Sequence, residues 1–171
     1  IDHDGAKALD AYGTGLKMAD PKLFDIPATV YNRMLAYQGH ATFVTVHGLN
    51  QEASLKRAAE AANEIGVKAI AVTILTSIED EECVKLYGRH IAEMIPFLVE
   101  RAKKAGLHGI VCSPKEGCRV HPTVFQNAKA MKYIIGIDTV LDEQGLPLYS
   151  TTADTFRHTV YLQPLDYHDE E

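Results

Sequence analysis

Short apolar runs rich in β-branched residues alternate along this chain with longer segments of helical periodicity. The apolar runs occupy residues 41–48, 68–77, 108–114 and 132–138. The first two, ATFVTVHG and KAIAVTILTS, are almost continuously apolar, as expected of strands buried on both faces. Residues 51–66 and 89–106 place their apolar side chains on one helical face, and each segment ends in a glycine. This alternation predicts right-handed βαβ units, a parallel sheet and an α/β fold.

Length and composition indicate one domain over residues 1–171. Apolar residues make up 46% of the chain and charged residues 23%, as in ordinary globular proteins. The net charge of −6 and the lack of a basic cluster argue against a nucleic-acid partner, and no apolar run approaches the roughly 20 residues that a membrane span needs. The first residues lack the pattern of a signal peptide, and the three cysteines show no Cys-x-x-Cys spacing. We therefore expect reduced thiols and a cytoplasmic location.

The segment DPKLFDIP at residues 20–27 places one lysine among two aspartates and two prolines. If this segment continues a strand, Asp20 and Lys22 project to the same side, and Asp25 lies where the chain turns toward a helix starting near Pro27. Parallel sheets carry their functional sites at the carboxyl ends of the strands. An ammonium group held beside carboxylates there is suited to deliver a proton to a developing carbanion. The spacing alone also fits a structural ion-pair network or a solvated loop.

The same segment resembles the motif Asp-x-Lys-x-x-Asp-Ile-Pro-x-Thr of the orotidine 5′-phosphate decarboxylase family. The matching residues are Asp20, Lys22, Asp25, Ile26, Pro27 and Thr29. The stretches FVTVHG, AVTILTS and GLHGIVCSPKE follow in the family's order, so the resemblance covers residues 5–120. It implies a TIM (β/α)8-type barrel that converts orotidine monophosphate to uridine monophosphate and CO2 in pyrimidine biosynthesis, with no cofactor and no metal. It also implies a homodimer whose sites lie at the subunit interface.

The resemblance further assigns roles to individual residues. Lys22 would protonate C6 of the pyrimidine after CO2 leaves, and Asp20 would lie against the substrate carboxylate and help to hold Lys22. Asp25 would reach across the dimer interface to the ribose in the neighbouring site, and Thr29 would line the ribose. Hydroxyls at the end of ILTS would hydrogen-bond the pyrimidine or its carboxylate. The predicted catalytic residues are Lys22, Asp20 and Asp25, and the predicted substrate-binding residues are these three with Thr29, Thr76 and Ser77.

Three features of the chain depart from the family pattern. The family's Lys-Asp-Lys-Asp tetrad begins with a lysine about one βα unit before Asp20. Lys7 and Lys17 are both too near Asp20 to occupy that strand. The family's Pro-Gly-Ile-Arg and Gly-Arg phosphate-binding motifs are not found, and we interpret residues 120–171 as a divergent C-terminal part. Pro21 stands between two predicted catalytic side chains and removes a hydrogen-bond donor from their strand.

These departures leave other functions open. The sequence predicts strands near residues 15–20, 42–47, 69–75, 109–113, 132–138 and 158–163, so we expect an incomplete barrel of parallel strands alternating with helices. The first hypothesis is an orotidine monophosphate decarboxylase, which is a carbon–carbon lyase. The alternative is a catalytically impaired relative or fragment that acts as a non-enzymatic binding or assembly module. A related sugar-phosphate decarboxylase is less favoured, because such relatives usually lack the run Asp25-Ile26-Pro27.

Overall fold

The computed structural model describes residues 6–75, 77–112, 133–137 and 160–164. Its strands are β1 Met18–Leu23, β2 Phe43–His47, β3 Lys68–Val72, β4 Gly109–Cys112, β5 Tyr133–Ile137 and β6 Val160–Pro164. Its helices are a short 3-10 helix, Ala8–Tyr12, and α1 Pro27–Leu35, α2 Glu52–Ile65, α3 Asp80–Tyr87 and α4 Ile91–Lys104. A strand lies close to each of the six positions that the sequence predicts.

The six strands form one sheet in the order β1-β2-β3-β4-β5-β6. Strands β1 to β5 pair in parallel, and helices connect β1 to β2, β2 to β3 and β3 to β4, which gives the predicted βαβ alternation. Strand β6 pairs with β5 in the antiparallel direction, which departs from an all-parallel sheet. Within the described residues the sheet is open, with β1 and β6 at its edges. The described residues form part of a TIM-barrel-type fold.

Local sequence chemistry sets the ends of the helices. Helix α1 starts with Pro27, which follows the extended Ile26 and needs no hydrogen-bond acceptor for its nitrogen in the first turn. Helix α2 ends at Ile65 and is capped by Gly66, whose φ of 76° is left-handed and whose N–H donates to the carbonyl of Ala62. Helix α4 continues through Pro96, although a proline inside a helix removes one backbone hydrogen bond. These helices direct the chain from the end of one strand to the start of the next.

The strands bury side chains on both faces. One face packs against the helices in the larger core, which includes Val44, Val46, Ala69, Ala71 and Ile110. The opposite face forms a second apolar cluster of Phe43, Ile70, Val72 and Val111, with Met18 packed against it. Thr45 shares a face with Phe43, because residues two apart in a strand project to the same side, and Thr45 is fully buried. A polar side chain therefore lies on this second face, beside the apolar cluster.

Two predictions fall outside the described residues. One is Thr76, and the other is the divergent part at residues 120–171, of which only β5 and β6 are described. None of the helices in the described ranges is long and apolar enough to cross a membrane.

Candidate active site

The carboxyl end of β1 carries the predicted pair of ammonium and carboxylate groups. Lys22 Nζ donates a hydrogen bond to Asp20 Oδ2, and the two groups form an ion pair. The Lys22 side chain is 38% exposed and the Asp20 side chain is 37% exposed, so water and small molecules reach the pair. An exposed ion pair contributes at most about 1 kcal/mol to folding stability. The pair is therefore better suited to hold a proton donor in place than to stabilise the fold.

A bulge in β1 brings these two side chains together. Ala19 pairs with Val44 and Leu23 pairs with Val46, so the intervening residues of β1 all lie opposite Thr45. Those intervening residues are Asp20, Pro21 and Lys22. A proline fits a bulge because the ladder of backbone hydrogen bonds is interrupted there. The bulge explains how a strand accommodates Pro21 between two predicted catalytic side chains.

Lys22 has a left-handed backbone conformation, with a φ of 45°. For a residue other than glycine this conformation costs about 1 to 3 kcal/mol and persists only where the surroundings impose it. The surroundings here include Thr45: the Lys22 N–H donates to Thr45 Oγ1 at 2.9 Å, and Thr45 Oγ1 donates to Asp20 Oδ1 at 2.7 Å. One hydroxyl therefore contacts the backbone of the lysine and the carboxylate of the aspartate.

Asp25 lies in the loop between β1 and α1, apart from that pair. Its carboxylate Oδ1 accepts the Ile26 N–H at 2.7 Å, and among the described residues no ion pair joins it to Lys22. Its backbone is held from both sides by the segment that follows β2. The Asp25 N–H donates to Asn50 Oδ1 at 3.1 Å, and the Asp25 carbonyl accepts the Ser54 hydroxyl at 2.7 Å. The position of Asp25 is thus fixed by residues of another βα unit.

Asn50 connects the ends of the first two strands to this loop. It is 2% exposed, and its Nδ2 donates to the Leu23 carbonyl at 2.6 Å and to the His47 carbonyl at 3.2 Å. From α4, the Arg101 guanidinium donates to the Asn50 carbonyl at 2.5 Å. Buried amide groups with all their partners fix a backbone strongly, because losing a partner leaves an unpaired polar group. Asn50 therefore sets the geometry between the end of β1 and Asp25.

His47 ends β2 close to Lys22. Burial lowers the pKa of His47, and the positive charge of Lys22 lowers that pKa further. His47 Nδ1 accepts the Leu49 N–H at 3.3 Å, so the neutral ring carries its proton on Nε2. The Phe24 ring contacts the imidazole edge-on, with ring centroids 5.6 Å apart. At neutral pH His47 is an uncharged group next to the ion pair.

The other predicted site residues do not join the pair within this chain. Thr29 lies in the first turn of α1 and is partly buried, and Ser77 follows β3 and is exposed. Among the described residues, neither forms a hydrogen bond or ion pair with Asp20 or Lys22. Thr76 lies outside the described residues. The structure thus brings together Asp20 and Lys22 of the six predicted residues.

Neither upstream lysine lies near the pair. The Lys17 carbonyl accepts the N–H groups of Thr42 and Phe43 before and at the start of β2, which places Lys17 at the amino end of the sheet. Lys17 Nζ lies 3.8 Å from Asp10 Oδ1. Lys7 precedes the short 3-10 helix, and the described residues before β1 contain no strand. In this chain neither residue provides the additional lysine that the resemblance implies.

Sequence reasoning missed Thr45 and Asn50. A signal for Thr45 was present, because it is a hydroxyl residue in the otherwise apolar run FVTV that leads to His47. Asn50 gave no comparable signal, since a polar residue between a strand and a helix is ordinary. Both residues act through contacts to β1 and its following loop, which are 23 to 27 positions away in sequence.

Comparisons with known proteins identify the same family. The family model described as "Orotidine 5'-phosphate decarboxylase / HUMPS family" matches residues 2–160. An orotidine 5′-phosphate decarboxylase from Rhodopseudomonas palustris (strain BisA53) is 35% identical over 127 residues, which are 72% of this chain and 52% of the relative. One from Lactobacillus gasseri is 40% identical over 107 residues, which are 57% of this chain and 45% of the relative. The crystal structure of the Lactobacillus acidophilus decarboxylase is similar, with a TM-score of 0.60 and 34% identity over 71% of this chain and 58% of that one.

These matches define how far the similarity extends. The chain spans about half the length of the curated relatives that it matches. The family match continues to residue 160, past residue 120, where the resemblance seen in the sequence ends. The family model covers more than half of the chain, and the chain belongs to the orotidine 5′-phosphate decarboxylase / HUMPS family.

Proposed function

We propose that this chain carries the proton-donating part of an orotidine 5′-phosphate decarboxylase site. The observation that supports the proposal is the ion pair of Lys22 and Asp20 on a bulge at the carboxyl end of β1. In the reaction the bond between C6 and the carboxylate carbon breaks, CO2 leaves, and the electron pair stays on C6. Lys22 then donates its proton to C6 and becomes a neutral amine. The product is uridine monophosphate.

Asp20 has two roles in this proposal. Its Oδ2 accepts the hydrogen bond from Lys22 and so keeps the ammonium group beside the reacting carbon. Its negative charge would also lie against the substrate carboxylate, which repels it. That repulsion is relieved as the carboxylate becomes neutral CO2, so Asp20 disfavours the bound substrate more than the transition state.

The remaining roles follow from the family resemblance and complete the proposal. Asp25 would contact the ribose in the site of a partner subunit, Thr29 would line that ribose, and the hydroxyls of Thr76 and Ser77 would bind the pyrimidine. Phe24 and Ile26, on either side of Asp25, are each 60% exposed. An exposed apolar pair beside the shared residue is suited to a subunit contact, because the centres of such interfaces are apolar. We therefore include a cytoplasmic homodimer acting in pyrimidine biosynthesis in the proposal.

The activity is tested with protein from the complete reading frame, because this chain spans about half the length of its relatives. The assay follows the loss of orotidine monophosphate absorbance for the wild type, Lys22→Ala and Lys17→Ala. Lys17 is a matched control, since it lies at the amino end of the sheet and pairs with Asp10. We expect Lys22→Ala to reduce kcat by at least about 100-fold, as loss of a general acid does, and Lys17→Ala to retain activity. A folded wild type without turnover contradicts the proposed activity.

The shared site is tested by mixing two inactive variants. In a heterodimer of Lys22→Ala and Asp25→Ala subunits, one site combines the intact lysine of one subunit with the intact aspartate of the other. We expect the mixture to regain activity that neither variant has alone. Mixing that restores nothing would show that Lys22 and Asp25 act within the same subunit or that Asp25 has no role in the reaction.

A non-catalytic binding module is the second candidate, and one observation favours it. Gly136 and Ile137 are followed by Asp138, so the sequence has an acid where the family's Pro-Gly-Ile-Arg motif has a cationic phosphate ligand. Calorimetry with uridine monophosphate and with uridine separates the candidates. An enzyme that uses the phosphate for binding energy is expected to bind the nucleotide more tightly, whereas equal affinities favour the non-catalytic candidate.

A further inference from the structure

Thr45 links the two members of the ion pair through a single oxygen atom. Its side chain is fully buried in the middle of β2, and both hydrogen bonds that its hydroxyl forms with described residues go to the bulge of β1. The bulge leaves Thr45 as the one residue of β2 opposite three residues of β1. The hydroxyl therefore takes the place of backbone partners that the interrupted ladder does not provide.

The direction of the two hydrogen bonds follows from the chemistry of the groups. A hydroxyl has one proton to donate and two lone pairs to accept with. Because the Lys22 N–H is a donor, Thr45 Oγ1 accepts from it at 2.9 Å and gives its own proton to Asp20 Oδ1 at 2.7 Å. The other carboxylate oxygen, Asp20 Oδ2, accepts from Lys22 Nζ. The contacts close a ring that runs from the Lys22 backbone through Thr45 and Asp20 to the Lys22 ammonium.

We propose that Thr45 is a positioning residue, which holds the Asp20 carboxylate and the left-handed Lys22 backbone so that the ammonium group has one preferred location. Without the hydroxyl, Asp20 loses one of the two donors that the described residues provide, and the Lys22 N–H loses its acceptor. The strained backbone of Lys22 then relaxes, because the contact that offsets its strain is gone. The consequence for turnover rests on the proposed function, whereas the positioning of the pair does not.

Thr73 supplies a matched control for a purely structural threonine. It is fully buried as Thr45 is, and its hydroxyl donates to the Val111 carbonyl of the neighbouring strand at 2.9 Å. Among the described residues it forms no hydrogen bond with Asp20 or Lys22. Replacing it with valine removes a buried hydroxyl without touching the ion pair.

The experiment measures two exchange rates at Lys22 by NMR, those of the backbone N–H and of the side-chain ammonium protons with water. Thr45→Val is expected to accelerate both by about fivefold or more, the effect of losing one hydrogen bond, while Thr73→Val leaves them unchanged. Thr45→Ser keeps the hydroxyl and is expected to restore the slow rates. Where Thr45→Val does not fold, Thr45→Cys keeps the volume with only a weak donor and carries the same expectation as the valine.

Two results overturn the positioning role. One is that both rates in the Thr45 variant match the wild type, and the other is that Thr73→Val accelerates them equally, which would reflect general loosening of the sheet. A separate measurement covers turnover: where the wild type is active, Thr45→Val is expected to lower kcat more than it changes KM, because the substrate contacts remain. Absence of turnover in the wild type counts against the proposed function alone, because the exchange rates decide the role of Thr45.

Discussion

The side chain of Asn50 offers the sharpest test of how the site is built, and Asn50→Ala removes three hydrogen bonds at once. The amide donates to the Leu23 and His47 carbonyls and accepts from the Asp25 N–H, at 2.6, 3.2 and 3.1 Å. The position is 2% exposed, so water replaces these partners poorly in the variant. The substitution therefore leaves backbone groups of two strand ends and one loop without their buried partner.

The expected size follows from these contacts. A protein hydrogen bond contributes about 1 kcal/mol on average, and a buried group left without a partner costs about 1 to 3 kcal/mol. The contact to Asp25 is only partly buried, and the one to His47 is the longest, so both count for less than a fully buried bond. We expect Asn50→Ala to lower the free energy of unfolding by about 3 kcal/mol. For a chain of this size that corresponds to a fall in Tm of about 6 to 12 °C.

The assay is urea unfolding followed by circular dichroism, with Gln51→Ala as the control. Gln51 is the adjacent amide residue, is exposed, and forms no side-chain cap on α2. The control is expected to change stability by less than about 0.5 kcal/mol, as surface substitutions usually do. If Asn50→Ala and Gln51→Ala have the same stability, the three contacts do not hold the loop and the reasoning is wrong.

Asn50→Asp adds a pH dependence to the same test. The new carboxylate would place an oxygen against the Leu23 carbonyl in place of a donor. The folded state then favours the protonated acid, so its pKa rises above the unfolded value of about 3.9. The variant is expected to be least stable near neutral pH and to approach the wild type as the pH falls through the raised pKa. A stability gap that is constant between neutral and acidic pH contradicts this account.

Three further outcomes follow from single contacts. Gly48→Ala is expected to destabilise the fold by about 1 to 3 kcal/mol in urea unfolding, because a Cβ there would lie 2.8 Å from the Val72 carbonyl oxygen; unchanged stability would show that β2 and β3 adjust freely. The pKa of His47 is lowered first by burial and then by Lys22, so in an NMR titration Lys22→Met is expected to raise it part of the way back, while Lys17→Met has no effect. His90 has a raised pKa because Asp80 accepts its hydrogen bond at 2.7 Å, and Asp80 has a lowered pKa, chiefly through that same bond. The stabilisation from the His90–Asp80 pair is therefore complete between pH 3.8 and pH 6.5, the pKa values of the unfolded aspartate and histidine. It is lost as the pH rises through the raised pKa of His90, and it is also lost as the pH falls through the lowered pKa of Asp80. Asp80→Asn is expected to lower the His90 titration midpoint toward 6.5, and an unchanged midpoint would exclude the pair in solution.

The elements that the sequence predicted well are those with a strong apolar pattern. The runs that became β2 and β3 are buried on both faces, and α2 and α4 bury a continuous apolar stripe. Helix α3 was missed for the opposite reason. It spans Asp80–Tyr87, and Cys83 is its one buried residue, so its sequence contains no stripe that indicates a helix. The periodic spacing of apolar residues indicates which face of a helix is buried, so a helix that buries one side chain gives almost no periodic signal.

The bulge in β1 was only half predictable. Pro21 indicated that the ladder is interrupted between Asp20 and Lys22, because proline has no N–H to donate. The sequence did not indicate that Lys22 takes a φ of 45°, since lysine has no preference for that region. The left-handed conformation is compatible with the fold because a hydroxyl 23 positions away accepts the displaced N–H. A contact between separate βα units has no counterpart in local sequence patterns.

The same contacts bear on how many subunits a complete site requires. Among the residues that the structure describes, Asp20 is the one acid that pairs with Lys22, and the carboxylate of Asp25 accepts the Ile26 N–H. Moving Asp25 toward Lys22 would break the hydrogen bonds from its backbone to Asn50 and Ser54. Losing each of these bonds costs about 1 kcal/mol or more. Those contacts favour Asp25 remaining where it is, beside the exposed Phe24 and Ile26. If the proposed homodimer forms, the second acid next to Lys22 is therefore expected to be Asp25 of a partner subunit and not Asp25 of the same chain. That expectation makes the mixed-variant experiment informative about assembly as well as about catalysis.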